Sequence, residues 1–463
     1  MESSSRNTVC PKSAPAAVLA ALCLTVFLLS RRQARQEAVR ESGETILAID
    51  PESVTSLAWT NESGSFAFRR EGDGWVYEGD ESFPVDGEKL TTLLEPLEEL
   101  GAAFTIEDAR DLGQYGLSDP AGSVTVGTES GTYTLTLGDY SQLDAQRYLS
   151  LGDGKVYLVT HDPMEEFDAV LRDLILDDSI PAVAQAEEIT FSGAADYTAV
   201  YDEDGVSVCG SDVYFSDGRP LDTDRVTNYL DTLSGLTLTD YVTYNATAEE
   251  LLAYGLETPE LSVTVRYAGE DGDESFTVHL GRDQAELQAA EETGDYEAVT
   301  ACLRVGDSRI VYEIPQEDYE TLAAASYDDL RHQKLFTASL SQVTELTVTL
   351  EGETYTLTHA LPESEDEDGK WYYQGEEFDG TDLENAVNSL RATDFTDRTA
   401  SGREEIRLTA KLDREDIPSL SLTLTRYDGD HCLAALDGET VAYVKRSQAV
   451  DLIEAIHAVV LTG

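Results

Sequence analysis

Histidines, cysteines, serines and clustered acids are the residues that could do chemistry here, and their spacing sets what that chemistry could be. The six histidines, His161, His279, His332, His359, His431 and His457, form no H-x-H, H-x-x-x-H or H-E-x-x-H pattern. Spacing therefore gives no support to metal ligation, and each reads as a surface or partly buried side chain. The five cysteines, Cys10, Cys23, Cys209, Cys302 and Cys432, include no C-x-x-C pair, so neither a disulfide framework nor a zinc finger is indicated. No serine stands in a G-x-S-x-G elbow, and neither a Walker-type phosphate loop nor G-x-G-x-x-G occurs. The acidic run Glu363 to Gly369 is the most tempting cation site, but it fails the EF-hand frame and lies between two strand patterns, as a solvated hairpin tip would. Trp59, Trp75 and Trp371 are candidate sugar platforms, yet Trp75 and Trp371 hold the same place before a helix, which favours core packing. No catalytic, cofactor-binding or metal-binding residue is assigned on these grounds, and a non-enzymatic protein is expected.

The elements that would position such residues are more legible. The chain has 463 residues and a formal net charge of −60, too long for one ordinary core. Residues 1–43 hold 6 of the 31 Lys and Arg and 3 acids, so the body carries 25 bases against 88 acids. Such a body repels nucleic-acid phosphates and anionic headgroups, which excludes polynucleotide binding and a membrane-lying surface. From Ala14 to Ser30 runs an apolar stretch of 17 residues, bracketed by Lys12 and by Arg31, Arg32 and Arg35. It spans about 25 Å as a helix, enough for a single anchor if the flanking cations snorkel. No small-x-small cleavage pattern follows it, against a signal peptide. Arg31, Arg32, Arg35 and Arg40 against Arg6, Lys12 and the amino terminus lean toward a cytoplasmic body by the positive-inside rule.

Repeats dominate the body. Leu90, Leu93, Leu94, Leu97 and Leu100 follow the same offsets as Val226, Tyr229, Leu230, Leu233 and Leu236, one face of a helix each time. Asp86 and Asp222 stand four positions before the first of them, as N-caps. A third copy reads Asp379, then Leu383, Ala386, Val387, Leu390 and Thr393. Each helix follows hairpin-like strands, such as those within Val54–Thr60, Glu188–Gly193 and Val343–Leu350. Each is followed later by a strand pair around Gly/Asp turns, within 147–160, 301–314 and 431–444. Cys302 and Cys432 fall where the first repeat has Tyr148, a packing slot rather than a redox pair.

The hexapeptide Tyr-Gly-Leu-x-x-Pro is written twice, as Tyr115, Gly116, Leu117, Pro120 and as Tyr254, Gly255, Leu256, Pro259. Thr105 with Asp108, and Thr247 with Glu250, are set as capping boxes of short preceding helices. The glycines then stop each helix in the left-handed region, the leucines fold back, and the prolines force an extended strand. The hexapeptide is expected to be a helix-to-strand joint. In the third repeat Ile417-Pro418 before Ser419–Tyr427 takes that place in a drifted form.

These features together resemble the bacterial family known as domain of unknown function 4340: the Trp-bearing hairpin, the helix after a Val-Asp or Leu-Asp pair, Y-G-L-x-x-P, strands ending in Leu-Gly at 134–139 and 277–282, and Leu171-Arg172-Asp173. The resemblance implies one N-terminal transmembrane helix and frequent encoding beside ABC-type export permeases. It implies no catalytic residue. The expected fold is α+β, an N-terminal transmembrane helix followed by three units of antiparallel sheet with amphipathic helices. The divisions are 1–43 for the anchor and basic flank, 44–180, 181–334 and a divergent 335–463. The expected protein is a single-pass accessory or scaffold at the cell membrane, partnered with an ABC-type permease and binding no nucleic acid, with its body outside as the resemblance implies against the small margin of flanking charge. The alternative is an extracytoplasmic module for cell-wall glycan or divalent cations, and a hydrolase ranks third.

Overall fold

The structure is a computed structural model that describes residues 43–107, 109–270, 272–361 and 369–461. The anchor segment, Asp108 and the acidic run at 363–368 lie outside the described residues. Among the described residues no helix is long and apolar enough to cross a membrane.

The chain divides into two compact units, the first ending at Asp177. Alternating apolar residues in the first unit build β1 (Glu44–Leu47), β2 (Val54–Asn61), β3 (Gly64–Glu71), β4 (Gly74–Tyr77), β5 (Leu100–Ile106), β6 (Gly122–Thr128), β7 (Gly131–Ser141), β8 (Gln146–Ser150) and β9 (Val156–Val159). They form one antiparallel sheet in the order β1-β5-β9-β8-β7-β6-β2-β3-β4.

The second unit, Asp178–Gly463, holds two more sheets. One contains β10 (Glu188–Gly193), β11 (Tyr197–Tyr201), β12 (Tyr214–Ser216), β13 (Arg219–Pro220), β14 (Tyr241–Thr243), β15 (Leu261–Ala268), β16 (Asp273–Arg282), β17 (Ala301–Val305) and β18 (Val311–Ile314), ordered β13-β12-β11-β10-β15-β16-β17-β18-β14. The other contains β19 (Val343–Leu350), β20 (Glu353–Ala360), β21 (Lys370–Tyr373), β22 (Glu376–Phe378), β23 (Ala392–Phe395), β24 (Glu404–Leu412), β25 (Ser419–Arg426), β26 (His431–Leu436) and β27 (Glu439–Lys445). Its order is β22-β21-β20-β19-β24-β25-β26-β27-β23.

All three sheets share one eight-strand frame. A three-strand meander comes first and a helix follows. Setting aside β1, β13 and β22, the strand after that helix, β5, β14 or β23, lies at the far end, and a four-strand meander joins the two by pairing with the first meander's first strand. Antiparallel sheets of this kind bury one face and wet the other. In the third sheet Leu346, Val348, Ile406, Leu408, Leu422 and Leu424 pack against Leu383 and Val387 of the helix Thr381–Ser389 and Leu452 and Ile456 of the helix Arg446–Val460. Trp59 and Trp371 are 2% exposed and Trp75 is 8% exposed, so all three are core residues. His359 stacks on Trp371 with ring centroids 4.3 Å apart.

Several local expectations change. The first repeat has no single helix through Leu100: residues Gly87–Thr92 and Glu95–Glu98 form two short helices, with Pro96 in the first turn of the second. A proline has no amide to donate, so the helical ladder restarts there. Leu100 opens β5 and Thr393 lies in β23, while the helix Thr223–Ser234 ends before Leu236. The middle copy of the Trp hairpin is mostly loop between β11 and β12, with strand only at Tyr214–Ser216 and Arg219–Pro220. Ser419–Arg426 is the counterpart of β7 and β16, one strand later than expected, so Ile417-Pro418 sits in a hairpin between β24 and β25 and is not a drifted helix joint.

Candidate functional site at the joint of the second and third sheets

The three aspartates singled out in the sequence all serve helix starts. Asp86 accepts from the amides of Glu88 and Lys89, and Asp222 from that of Asp224. Asp379 lies one residue outside the cap, which is Gly380, and still accepts from the Thr381 amide and hydroxyl. In the Tyr-Gly-Leu copies Gly116 and Gly255 have φ of 69° and 67°. Leu117 and Leu256 fold back, their amides donating to the carbonyls of Leu112 and Leu251. The second copy ends a helix, Ala248–Ala253, closed by the Thr247–Glu250 capping box. The first ends only a 3-10 turn, Leu112–Tyr115, capped by Asp111, and Thr105 belongs to β5.

The joint explains a second repeated glycine. A side chain at Gly281 of β16 would place its Cβ 2.5 Å from the Tyr254 carbonyl oxygen and 2.8 Å from that of Gly255, and one at Gly138 of β7 would meet the Tyr115 carbonyl more closely still. The Tyr-Gly backbone thus lies directly on a bare strand. Beneath it, Leu256 packs with Cys302, and Tyr115 meets Tyr148 with ring centroids 5.0 Å apart. Leu117 and Leu256 are thus buried packing residues, Pro120 is exposed, and Gly255 also borders an open depression with Glu260, Arg282 and Gln284.

Only Asp222 among these residues joins a cluster of chemically capable side chains. The loop between β11 and β12 is turned by Gly210, whose φ is 78° and whose amide is received by the Ser207 hydroxyl. That turn presents Cys209 and Asp212. His332 arrives from the opposite direction, two residues past the helix Tyr327–Leu330, whose last carbonyl receives the Asp222 amide. His332 Nε2 is 2.8 Å from Asp212 Oδ1 and its Nδ1 is 3.2 Å from Asp222 Oδ2. Burial opposes charging of this imidazole, but the two carboxylates outweigh it and push its pKa up to about 10. The same contact holds Asp222 below the ordinary carboxylate range, against the effect of its burial. The Asp212 side chain is 2% exposed, and its Oδ2 is buried with no hydrogen-bond partner among the described residues. Cys209 Sγ, an Asp212 carboxylate oxygen and a His332 ring nitrogen all lie within 4.8 Å of one another.

The cluster lines an open depression of about 400 Å³ together with Lys334 and Arg391. Burial and the neighbouring Arg391 lower the Lys334 pKa, and its ammonium donates to Asn388 Oδ1 at 2.7 Å. The surrounding chain ties two sheets together. Gln333 receives the amide of Ala392, Leu335 donates to Leu390, and Lys334 pairs with Arg391. From the other side, Arg414 of the third sheet's hairpin donates to the carbonyls of Ser207 and Val208 at 2.8 and 3.1 Å while holding Asp416. Val208 packs on the third core.

The family model described as Domain of unknown function (DUF4340) matches residues 75–191 and 216–411. The chain belongs to this family. Each matched stretch of the DUF4340 protein begins near the third strand of one sheet and runs into the next sheet. The residues between the stretches, 192–215, carry Cys209 and Asp212, whereas Asp222 and His332 lie within the second stretch. Compared with curated proteins and with solved structures, the chain finds no match.

Sequence spacing could not reveal this cluster, because His332 stands 120 residues from Asp212. Its one legible member was Asp222, read as a helix cap, which it also is.

Proposed function

We propose that this DUF4340 protein is a non-enzymatic, membrane-anchored accessory or scaffold, associated with an ABC-type export system. The observation that carries the scaffold reading is what the chain repeats. Three sheets share one strand frame, and the side chains recurring between them, Trp75 with Trp371 and Cys302 with Cys432, are buried. Architecture is copied, and the aspartates copied with it, Asp86, Asp222 and Asp379, serve a helix start each time. A protein of repeated sheets offers extended surface to partners. Its acidic composition keeps that surface soluble and away from polyanions.

Anchoring rests on the apolar run from Ala14 to Ser30, and the export association rests on what membership of the family implies. The test is extraction of cells in mild detergent and capture of the chain, with the neighbouring permease expected in the eluate at a reproducible ratio. Its repeated absence removes the export association. Of the alternative reading as an extracytoplasmic binding module, the glycan half loses its platforms because the tryptophans are buried. The cation half gains from the Cys209, Asp212 and His332 cluster.

A further inference from the structure

We propose that Cys209, Asp212 and His332 bind one divalent transition-metal ion of the zinc class, with Asp222 orienting the imidazole, at the joint of the second and third sheets. One thiol, one carboxylate and one imidazole form a donor set that suits zinc or cobalt and disfavours calcium or magnesium, which take oxygen. Around a tetrahedral ion with bonds of about 2.0–2.3 Å, ligand atoms stand about 3.3–3.8 Å apart. The three donors already lie within 4.8 Å of one another, so small side-chain rotations bring them to bonding positions.

Two further observations point to a ligand. Asp212 is buried, yet its Oδ2 has no hydrogen-bond partner among the described residues. A carboxylate oxygen left so is costly, and a cation satisfies it. Meanwhile the Asp222 carboxylate faces His332 Nδ1 at 3.2 Å. That is the carboxylate–histidine arrangement which fixes the tautomer of a metal-bound imidazole and leaves Nε2 for the ion. In this arrangement the ion sits between Nε2 and the Asp212 carboxylate, displacing the proton now shared with Oδ1 and engaging Oδ2. Binding releases that proton and the Cys209 thiol proton to solvent. Three protein donors leave a fourth position for water or a partner's side chain.

The placement gives the ion a structural consequence. Cys209 and Asp212 belong to a loop pinned to the third sheet by Arg414, and His332 opens the linker that pairs with the residues before β23. An ion here cross-links loop and linker and stiffens the joint. The proposal does not depend on the export association, since metal binding and permease capture are read separately.

The test uses the detergent-solubilised full chain with Cys10 and Cys23 replaced by serine, stripped with chelator and titrated with cobalt(II). Cys302 and Cys432 are buried in the core and do not compete. One equivalent is expected, with thiolate-to-cobalt charge-transfer absorption and ligand-field bands of a tetrahedral ion. Zinc should displace the cobalt and slow alkylation of Cys209. Cys209→Ser removes a half-buried thiol without threatening the fold, and it should abolish the charge-transfer band. Asp222→Asn, which keeps a capping oxygen, should weaken binding about 10–100-fold. Stoichiometric binding that survives both Cys209→Ser and His332→Ala, or no charge-transfer band at saturating cobalt, overturns the proposal and leaves a carboxylate–imidazolium–carboxylate clamp alone.

Discussion

The bare strand under each Tyr-Gly-Leu joint makes a sharp test of the fold. Gly281→Ala adds one methyl to β16 at a residue paired with Cys302. That methyl would lie 2.5 Å from the Tyr254 carbonyl oxygen and 2.9 Å from the Gly255 carbonyl carbon, and both neighbours are backbone that cannot rotate away. Either β16 or the joint must shift by roughly 1 Å to restore ordinary contact, and overpacking of this sort costs about 1–3 kcal/mol. Relief of unfolded-chain entropy returns only about 0.4–1 kcal/mol, so a net loss of about 1–2 kcal/mol is expected. The loss should be local. The Leu256 amide, which donates to Leu251, and the Glu260 amide, which donates to Leu280, should exchange with solvent about 5–30-fold faster. The control is Gly294→Ala, at φ 79° with nothing near its Cβ. It should cost about 1–2 kcal/mol from backbone alone and leave those two amides unchanged. Wild-type exchange at Leu256 and Glu260 in Gly281→Ala would refute the reasoning that the joint rests on that strand.

Other outcomes follow from the same structure. Burial pushes the Cys302 and Cys432 thiols up to about 12, so at pH 8 iodoacetamide should modify Cys209 alone among the described cysteines, and modification of Cys302 in native protein would contradict its burial. The same shift carries a sign: both thiols stay neutral in the fold while unfolded thiols ionise above about pH 8.5, so their contribution to stability is whole below that value and lost as pH climbs toward 12. Replacing Arg414 with alanine strips the charged donor from the Ser207 and Val208 carbonyls, at about 1–3 kcal/mol, and proteolytic nicking within 207–212 should accelerate; an unchanged digestion pattern would show that the loop is held by Val208 alone. For orientation, Asp307→Cys, fully exposed in a turn and placed in a background without native cysteines, should react with an impermeant thiol reagent on intact cells. Labelling only after lysis would place the body in the cytoplasm.

Much of the architecture was legible because it is written in local pattern. Alternation in Val343–Leu350 and in Leu261–Ala268 marks strands with one buried face, and Asp222 before Val226 and Tyr229 marks a helix start. What was not legible depends on distant partners. The frame in which β10 pairs with β15, across the helix Thr223–Ser234 and β14, has no local signal. Pro96 inside an otherwise helical leucine pattern was the available warning that the helix breaks. Thr105 fits a capping box, yet pairing with Tyr157 of β9 claims it for a strand. The candidate metal cluster is the extreme case: a loop cysteine and aspartate meet a linker histidine only because the helix Tyr327–Leu330 closes back onto Asp222.

The shared strand frame also dictates the order in which each sheet can be finished. The opening meander pairs at once with itself, but the outer side of its first strand stays open until a much later strand arrives, at Val54 with Thr128, Glu188 with Arg266 and Val343 with Leu412. During synthesis each copy therefore emerges as a half-built hairpin stack with an unsatisfied edge, and three such edges of one geometry appear in succession on a single nascent chain. Edges of this kind pair with whatever compatible strand is nearest, and distant closure is slow. Mispairing between copies is the characteristic failure of repeat proteins, and three open edges of one geometry set that hazard here.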